Sequence, residues 1–401
     1  MLFKSFSAFL IVACCVTACA VAAAEPDAKP FGDKVCLRGT FDNARLTFER
    51  KGKGTVAFLG GSITEMEGYR PMVCALLQKR FPNTTFTFVN AGISSTCSTT
   101  GAFRLGTDVL AKGPVDLLFV EFAVNDDQDG HHTRAECIRG MEGILRQARQ
   151  ANPGTDIVMT FFVNEAILKA LQGGQVPLTI EAHTAVAEHY RVPTINLAKE
   201  VAEEIAAGKL TWAQYGGVHP APFGNAICAR MIDELFSRAW AAPLSKEASM
   251  VPNLVPLTPL DPLNYGAGHF INPSEAKIKQ GWTLGVPEWK NIPGAKRARF
   301  TTLPILGAAE AGAELTLAFE GTAVGAFVVA GPDAGVAEAS IDGGPFAKIN
   351  LLHAYSKSLH YPYTVMLATE LPAGAHVLTL RVSAETHGAG HAMRIIQFVA
   401  N

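Results

Sequence analysis

The sequence predicts a flavodoxin-like, three-layer α/β/α domain with about five parallel strands, followed by an all-β, jelly-roll-like sandwich. Three observations predict it. From about Thr55 to Trp240, short apolar runs alternate with amphipathic stretches, the signature of a doubly wound sheet. From Ala241 onward the prolines at 243, 252, 256, 259, 262 and 273 rule out long helices and central strands. Beyond Trp282 the apolar pattern changes to period two, as in half-buried antiparallel strands.

The 401 residues suffice for two domains, and 48% hydrophobic against 17% charged residues exclude wholesale disorder. Lys plus Arg number 34 against 36 Asp plus Glu, a formal charge of -2, and no long basic run supplies an electrostatic footprint for nucleic acid. The one long apolar stretch is N-terminal. Lys4, the run Phe6 to Val21 and the small residues Ala22 to Ala24 read as a signal peptide over 1–24. Val16-Thr17-Ala18-Cys19 also reads as a lipobox, which would make Cys19 a lipid anchor. Either route exports the chain, to the periplasm, the medium or the outer surface of a bacterium. Oligomeric state is not legible.

The remaining elements follow in order. Residues 25–50 form an N-terminal extension, 51–240 the α/β domain, 241–280 a Pro-rich linker able to wrap it, and 281–401 the β domain. The runs Thr55 to Leu59, Thr85 to Val89, Val115 to Phe122, Asp156 to Phe162 and Val192 to Leu197 are short, rich in β-branched or aromatic residues and nearly free of charge, as buried parallel strands require. After Thr133, a capping box with Glu136 opens a helix whose Cys137, Ile138, Met141, Ile144, Leu145 and Ala148 share one face. Asn152-Pro153-Gly154 stops it. In the β domain Leu315, Leu317 and Phe319 alternate with polar or small residues, as do Leu378, Leu380 and Val382, and Asp342-Gly343-Gly344 is a hairpin turn. Five cysteines remain after the leader, an odd number, with no CxxC and no Cys/His spacing that suits zinc.

Ligands of an open α/β sheet bind beyond the carboxyl ends of its strands. Four polar features stand there: Ser62 in Gly60-Gly61-Ser62-Ile63-Thr64, Gly92 in Asn90-Ala91-Gly92, Asn125 in Ala123-Val124-Asn125-Asp126, and His219 in Gly217-Val218-His219-Pro220. Each alone has a bland explanation: a turn, a positive φ, a cap, a structural histidine. Their joint occurrence, in order, on one rim of the sheet is what stands out.

That constellation, over roughly residues 51–240, resembles the SGNH hydrolases, also called the GDSL esterase/lipase superfamily. The resemblance implies an acyl-enzyme mechanism: Ser62 as nucleophile, His219 as base, and an oxyanion hole made by the backbone N–H groups of Ser62 and Gly92 and the Asn125 amide, with no metal or other cofactor. Two features depart from the family pattern. Gly61 stands where Asp is common. Gly216 stands three residues before His219, where the family places the acid that orients the imidazole. A backbone carbonyl could take that place and leave a Ser-His dyad, another acid could substitute (Asp126, Asp127 or Glu121 by strand position), or the site could be impaired.

Further candidates are weighed against plainer readings. His131 and His132 beside Asp126, Asp127 and Asp129 suggest a metal cluster, but a solvated helix lead-in is the reading taken. Tyr69 and Arg70 could face the substrate or pack on a helix. His353, Tyr355, His360, Tyr361 and Tyr363 could bind sugar rings or close over the site. The expected function is hydrolysis of small acyl esters, acetyl above all, on carbohydrate. A lipase- or thioesterase-type hydrolase and a glycan-binding protein with a decayed site are the alternatives.

Overall fold

The structure, a computed structural model, describes residues 31–401. The leader, its cleavage site and the Cys19 motif lie outside the described residues. Six strands make the first sheet: β1 (Val35–Cys36), β2 (Lys53–Gly60), β3 (Thr85–Gly92), β4 (Leu117–Glu121), β5 (Asp156–Thr160) and β6 (Thr194–Ile195). Their order is β1-β6-β5-β4-β2-β3. Strands β2 to β6 are parallel in the flavodoxin-like order, and β1 adds an antiparallel edge beside β6. The two-residue β1 carries no periodicity, so sequence pattern could not reveal it.

Helices α1 (Asn43–Lys51), α2 (Ser62–Glu65), α3 (Tyr69–Arg80), α4 (Ser98–Asp108), α5 (Ala123–Gln128) and α6 (Arg134–Ala151) precede β5 or flank the strands before it. Helices α7 (Glu165–Gln172), α8 (Leu178–His189), α9 (Leu197–Ala206), α10 (Trp212–Tyr215) and α11 (Pro222–Ala239) complete the layers. The capping box of Thr133 and Glu136 opens α6, Asn152 caps its end, and all six residues of its predicted apolar face are buried. Val56 to Leu59 and Leu117 to Val120 are buried along both faces of their strands, which is why they read as unbroken apolar runs.

The proline-rich stretch is tied to α6. The buried Glu142 accepts the backbone N–H groups of Leu260 (2.8 Å) and Asp261 (2.9 Å), together with the Tyr190 hydroxyl (2.7 Å). Prolines thin out after Pro262, and β7 (His269–Ile271) and β8 (Lys277–Gln280) already pair with sandwich strands. These lie inside the span expected as linker.

The sandwich adds β9 (Thr283–Gly285), α12 (Ala298–Thr301), β10 (Ile305–Ala308), β11 (Glu314–Gly321), β12 (Val324–Ala330) and β13 (Val336–Ile341). It continues through β14 (Ala347–Asn350), β15 (Tyr361–Ala368), β16 (Gly374–Val382) and β17 (Met393–Ala400). One antiparallel sheet runs β15-β12-β17-β10-β9, with β7 also on β17, and the other runs β14-β13-β16-β11-β8. The alternating leucines face one another across β11 and β16 as Leu315–Leu380 and Leu317–Leu378, all buried. Asp342 and Gly343 both take positive φ, 53° and 74°, in the tight turn from β13 to β14. Strand β15 packs on the α/β domain, where the hydroxyls of Thr364 and Thr100 lie 2.9 Å apart. Arg139 on α6 ties Asp261 and Glu370 together.

Candidate active site

The turn after β2 explains its glycine pair. A Cβ on Gly60 would stand 2.1 Å from Glu121 Oε1, and one on Gly61 would stand 2.1 Å from Asn125 Oδ1. An aspartate at position 61 would meet the Asn125 side chain, which accounts for the departure there. The turn places Ser62 at the start of α2. His219 Nε2 lies 2.8 Å from Ser62 Oγ.

The His219 loop holds its shape without an acid. Gly216 closes α10 in the left-handed conformation with φ 105°, and a Cβ there would stand 2.1 Å from Ala221 N. Any side chain at Gly216 is thus excluded. The N–H groups of Gly216 and Gly217 donate to Trp212 O, Ala221 N–H donates to Tyr215 O, and the Asn225 amide donates to Pro220 O. Among the described residues, no carboxylate is hydrogen-bonded to His219.

The proposed substitute acids are engaged elsewhere. Asp126 does not join the Ser62–His219 pair, which corrects the expectation that placed it there. It is fully buried, accepting Ser98 N–H (2.8 Å) and His183 Nε2 (2.9 Å), with His132 Nδ1 at 3.4 Å. Burial pushes its carboxyl up, but the neighbouring His132 and His183 outweigh that and hold it well below the ordinary range. Asp127 accepts from the Asn164 amide (2.8 Å). His132, expected in a solvated lead-in, is instead nearly buried against Asp126, because the chain folds back over α5 there. Cys97, Asp126 and His132 could reach one small ion, as could Asp126, Cys137 and His183.

Glu121 lies beneath the nucleophile turn. Its Oε1 accepts Gly61 N–H (2.9 Å) and Thr64 Oγ1 (2.7 Å), while Oε2 has no partner. Burial pushes this carboxyl up to about 7, against the hydrogen bonds from Thr64 and Gly61 that favour its ionised form. Burial raises Asp156 to about 7 as well. A carboxyl whose folded pKa exceeds its ordinary value contributes stability below the ordinary value that is lost as pH rises through the folded one. Both groups should therefore lower stability between about pH 4.5 and 7. Glu121→Gln keeps the acceptor and removes one titration. The fall in melting temperature from pH 5 to 8 should become shallower. An unchanged slope would assign the pH dependence elsewhere.

A cavity of about 370 Å³ opens over Ser62 and His219. From the α/β domain, Ser94, Ser95, Asn125 and Asp129 join them in lining it. Gly92 is not among them. Its N–H donates to Asn90 Oδ1 (3.0 Å), and its Cα packs against the Glu65 backbone. The chain reaches the cavity three residues later at Ser95, a non-glycine residue with φ 72°. Among the described residues, neither Ser62 N–H nor Ser95 N–H has an acceptor. Glu65 holds this segment by accepting Ser94 N–H (2.9 Å) and the Ser94 hydroxyl.

The β domain supplies the opposite wall with Arg297, Tyr355, Ser358, Leu359 and Tyr361. Two members of the aromatic segment, Tyr355 and Tyr361, therefore do face the site. His360 turns away to Pro293 O, Tyr69 is fully buried against Thr64, and Arg70 pairs with Glu67. Sequence reasoning missed Ser95 and Arg297, and it named Asp129 only in the dismissed metal cluster. Only Asp129 left a trace, four residues after Asn125 and so on the same helical face.

These features are those of an ester-hydrolysing enzyme and resemble the SGNH superfamily. Residues 58–227 match the model of the GDSL-like lipase/acylhydrolase family. Two crystal structures of a two-domain esterase (CEX) active on acetylated mannans, one co-crystallized with mannopentaose, are similar along nearly the whole chain. Their TM-scores are 0.72 and 0.71 at 21% and 20% identity, each covering 91% of this chain and 96% of that one. An acetyl xylan esterase from Geobacillus stearothermophilus aligns over 46% of this chain and 96% of its own, at 20% identity and a TM-score of 0.37. No curated protein matches this sequence.

Proposed function

We propose that this protein is an exported carbohydrate esterase that removes acetyl groups through an acyl-enzyme on Ser62. The observation that carries the reading is the 2.8 Å contact of His219 Nε2 with Ser62 Oγ inside a cavity shared by both domains. In it, Ser62 Oγ attacks the ester carbonyl carbon as His219 Nε2 takes its proton. The N–H groups of Ser62 and Ser95 and the Asn125 amide receive the oxyanion. Collapse of the tetrahedral adduct expels the sugar hydroxyl, protonated by His219. Water, deprotonated by the same nitrogen, then releases acetate and restores Ser62. With no carboxylate on His219, the pinned loop from Gly216 to Pro220 orients the imidazole, a dyad arrangement.

The cavity's composition favours a small acyl group on a polar carrier. Its lining is mostly serines, Asn125, Asp129, Arg297 and tyrosines, with only Val218 and Leu359 aliphatic. That wall offers hydrogen bonds and ring faces to a sugar and no long apolar groove to a fatty acyl chain. The similar two-domain structures belong to an esterase active on acetylated mannans, which makes acetylated mannan the first polymer to try. Export rests on Lys4, the apolar run after it and the small residues at 22–24. Initial rates on p-nitrophenyl acetate, butyrate and palmitate, beside acetate release from acetylated mannan and xylan, test the reading. Acetyl esters should be turned over at least about tenfold faster than palmitate. Preference for the long chain would favour a lipase, and inertness on every ester would end the enzyme reading.

A further inference from the structure

The sandwich does more than wall the cavity. Asn125 Nδ2 donates to Asp129 Oδ2 (2.8 Å), and Asp129 Oδ1 accepts the Tyr361 hydroxyl (2.6 Å) from the first residue of β15. Asp129 and Tyr361 are both buried. His353 stacks on Tyr361 with ring centroids 4.1 Å apart and planes 1° from parallel. Tyr355 N–H donates to His353 Nδ1, so Nε2 carries the proton that His353 gives to Asp129 O (2.9 Å). On the other side, Arg297 donates to Ser95 Oγ (2.8 Å) and to Ser94 O, and the Tyr361 hydroxyl lies 3.2 Å from Ser95 O.

We propose that the β-sandwich aligns the oxyanion hole, with Tyr361 and Asp129 as positioning residues that fix the Asn125 amide for turnover. The inference rests on the esterase reading above. A side-chain amide has two N–H groups at one end and a carbonyl oxygen at the other, and free rotation would let either end face the reacting carbonyl. Asp129 accepts at both oxygens, from Asn125 Nδ2 and from the Tyr361 hydroxyl, so it selects the Nδ2 end. One N–H of Nδ2 is then held by Asp129, and its second N–H remains for the oxyanion. The opposite orientation would present Oδ1 and repel the developing charge. Tyr361 in turn holds the carboxylate through its other oxygen, while Arg297 fixes the segment whose Ser95 N–H is a second donor. The β domain thereby acts on two of the three oxyanion donors, on Asn125 through Tyr361 and Asp129 and on Ser95 through Arg297.

Steady-state kinetics on p-nitrophenyl acetate, an ester with no sugar to bind, test this. Tyr361→Phe and Asp129→Asn should each lower kcat about tenfold or more, with KM held within about twofold, because the affected interaction forms in the transition state. In an Asn125→Ala background neither substitution should lower kcat further, since the group they position is gone. Melting temperature checks folding, and if Tyr361→Phe fails to fold, the isosteric Asp129→Asn carries the comparison. Wild-type kcat in either folded variant, or effects that multiply in the Asn125→Ala background, would overturn the inference while leaving the esterase reading intact. A wild type inert on all esters would remove both.

Discussion

Ser62→Ala and His219→Ala should each lower turnover of p-nitrophenyl acetate by about three to six orders of magnitude, the range seen when a coupled nucleophile or base is removed. The two substitutions should not multiply. A serine hydroxyl without a base is a poor nucleophile, and an imidazole without the hydroxyl has nothing to activate. Both positions are at least partly open to the cavity, so neither change should disturb the core. Equal and severe losses in two folded variants would show one catalytic unit. Near-normal turnover in His219→Ala would assign the base elsewhere.

Asn125→Ala should cost about 100- to 1000-fold in kcat, equivalent to roughly 3–4 kcal/mol, with little change in KM. The oxyanion exists only in the transition state and the tetrahedral intermediate, so losing a donor to it barely affects ground-state binding. The fold should survive, because Asn125 lies at the cavity surface and α5 keeps its backbone bonds, Asp126 N–H to Phe122 O among them. An unchanged kcat would take Asn125 out of the site and leave the Asp129 network without a catalytic role.

The α/β domain was legible because each parallel strand carries its own apolar run and α6 its own capping box. The antiparallel β1 was not, since two residues hold no period. The site was legible as four blocks but not as contacts. Asn125 was placed at the end of a strand, whereas the chain turns there into α5, which buries Asp126 among Ser98, His132 and His183 instead of aiming it at His219. A glycine drew attention to position 92, but the residue that bends left-handed into the cavity is Ser95, and composition does not announce a positive φ on a serine. The wall from the β domain was furthest from view. Tyr361 and Asp129 are 232 residues apart, and only the docking of β15 on the α/β domain brings them together.

The most direct measurement is peptide mapping by mass spectrometry after exposing the wild-type protein to a fluorophosphonate probe, with Ser62→Ala and denatured protein as controls. A single phosphonylated residue is expected, Ser62, with labelling lost in Ser62→Ala and strongly slowed in His219→Ala. No label on folded wild-type protein, or a label on another serine, would contradict a catalytic Ser62.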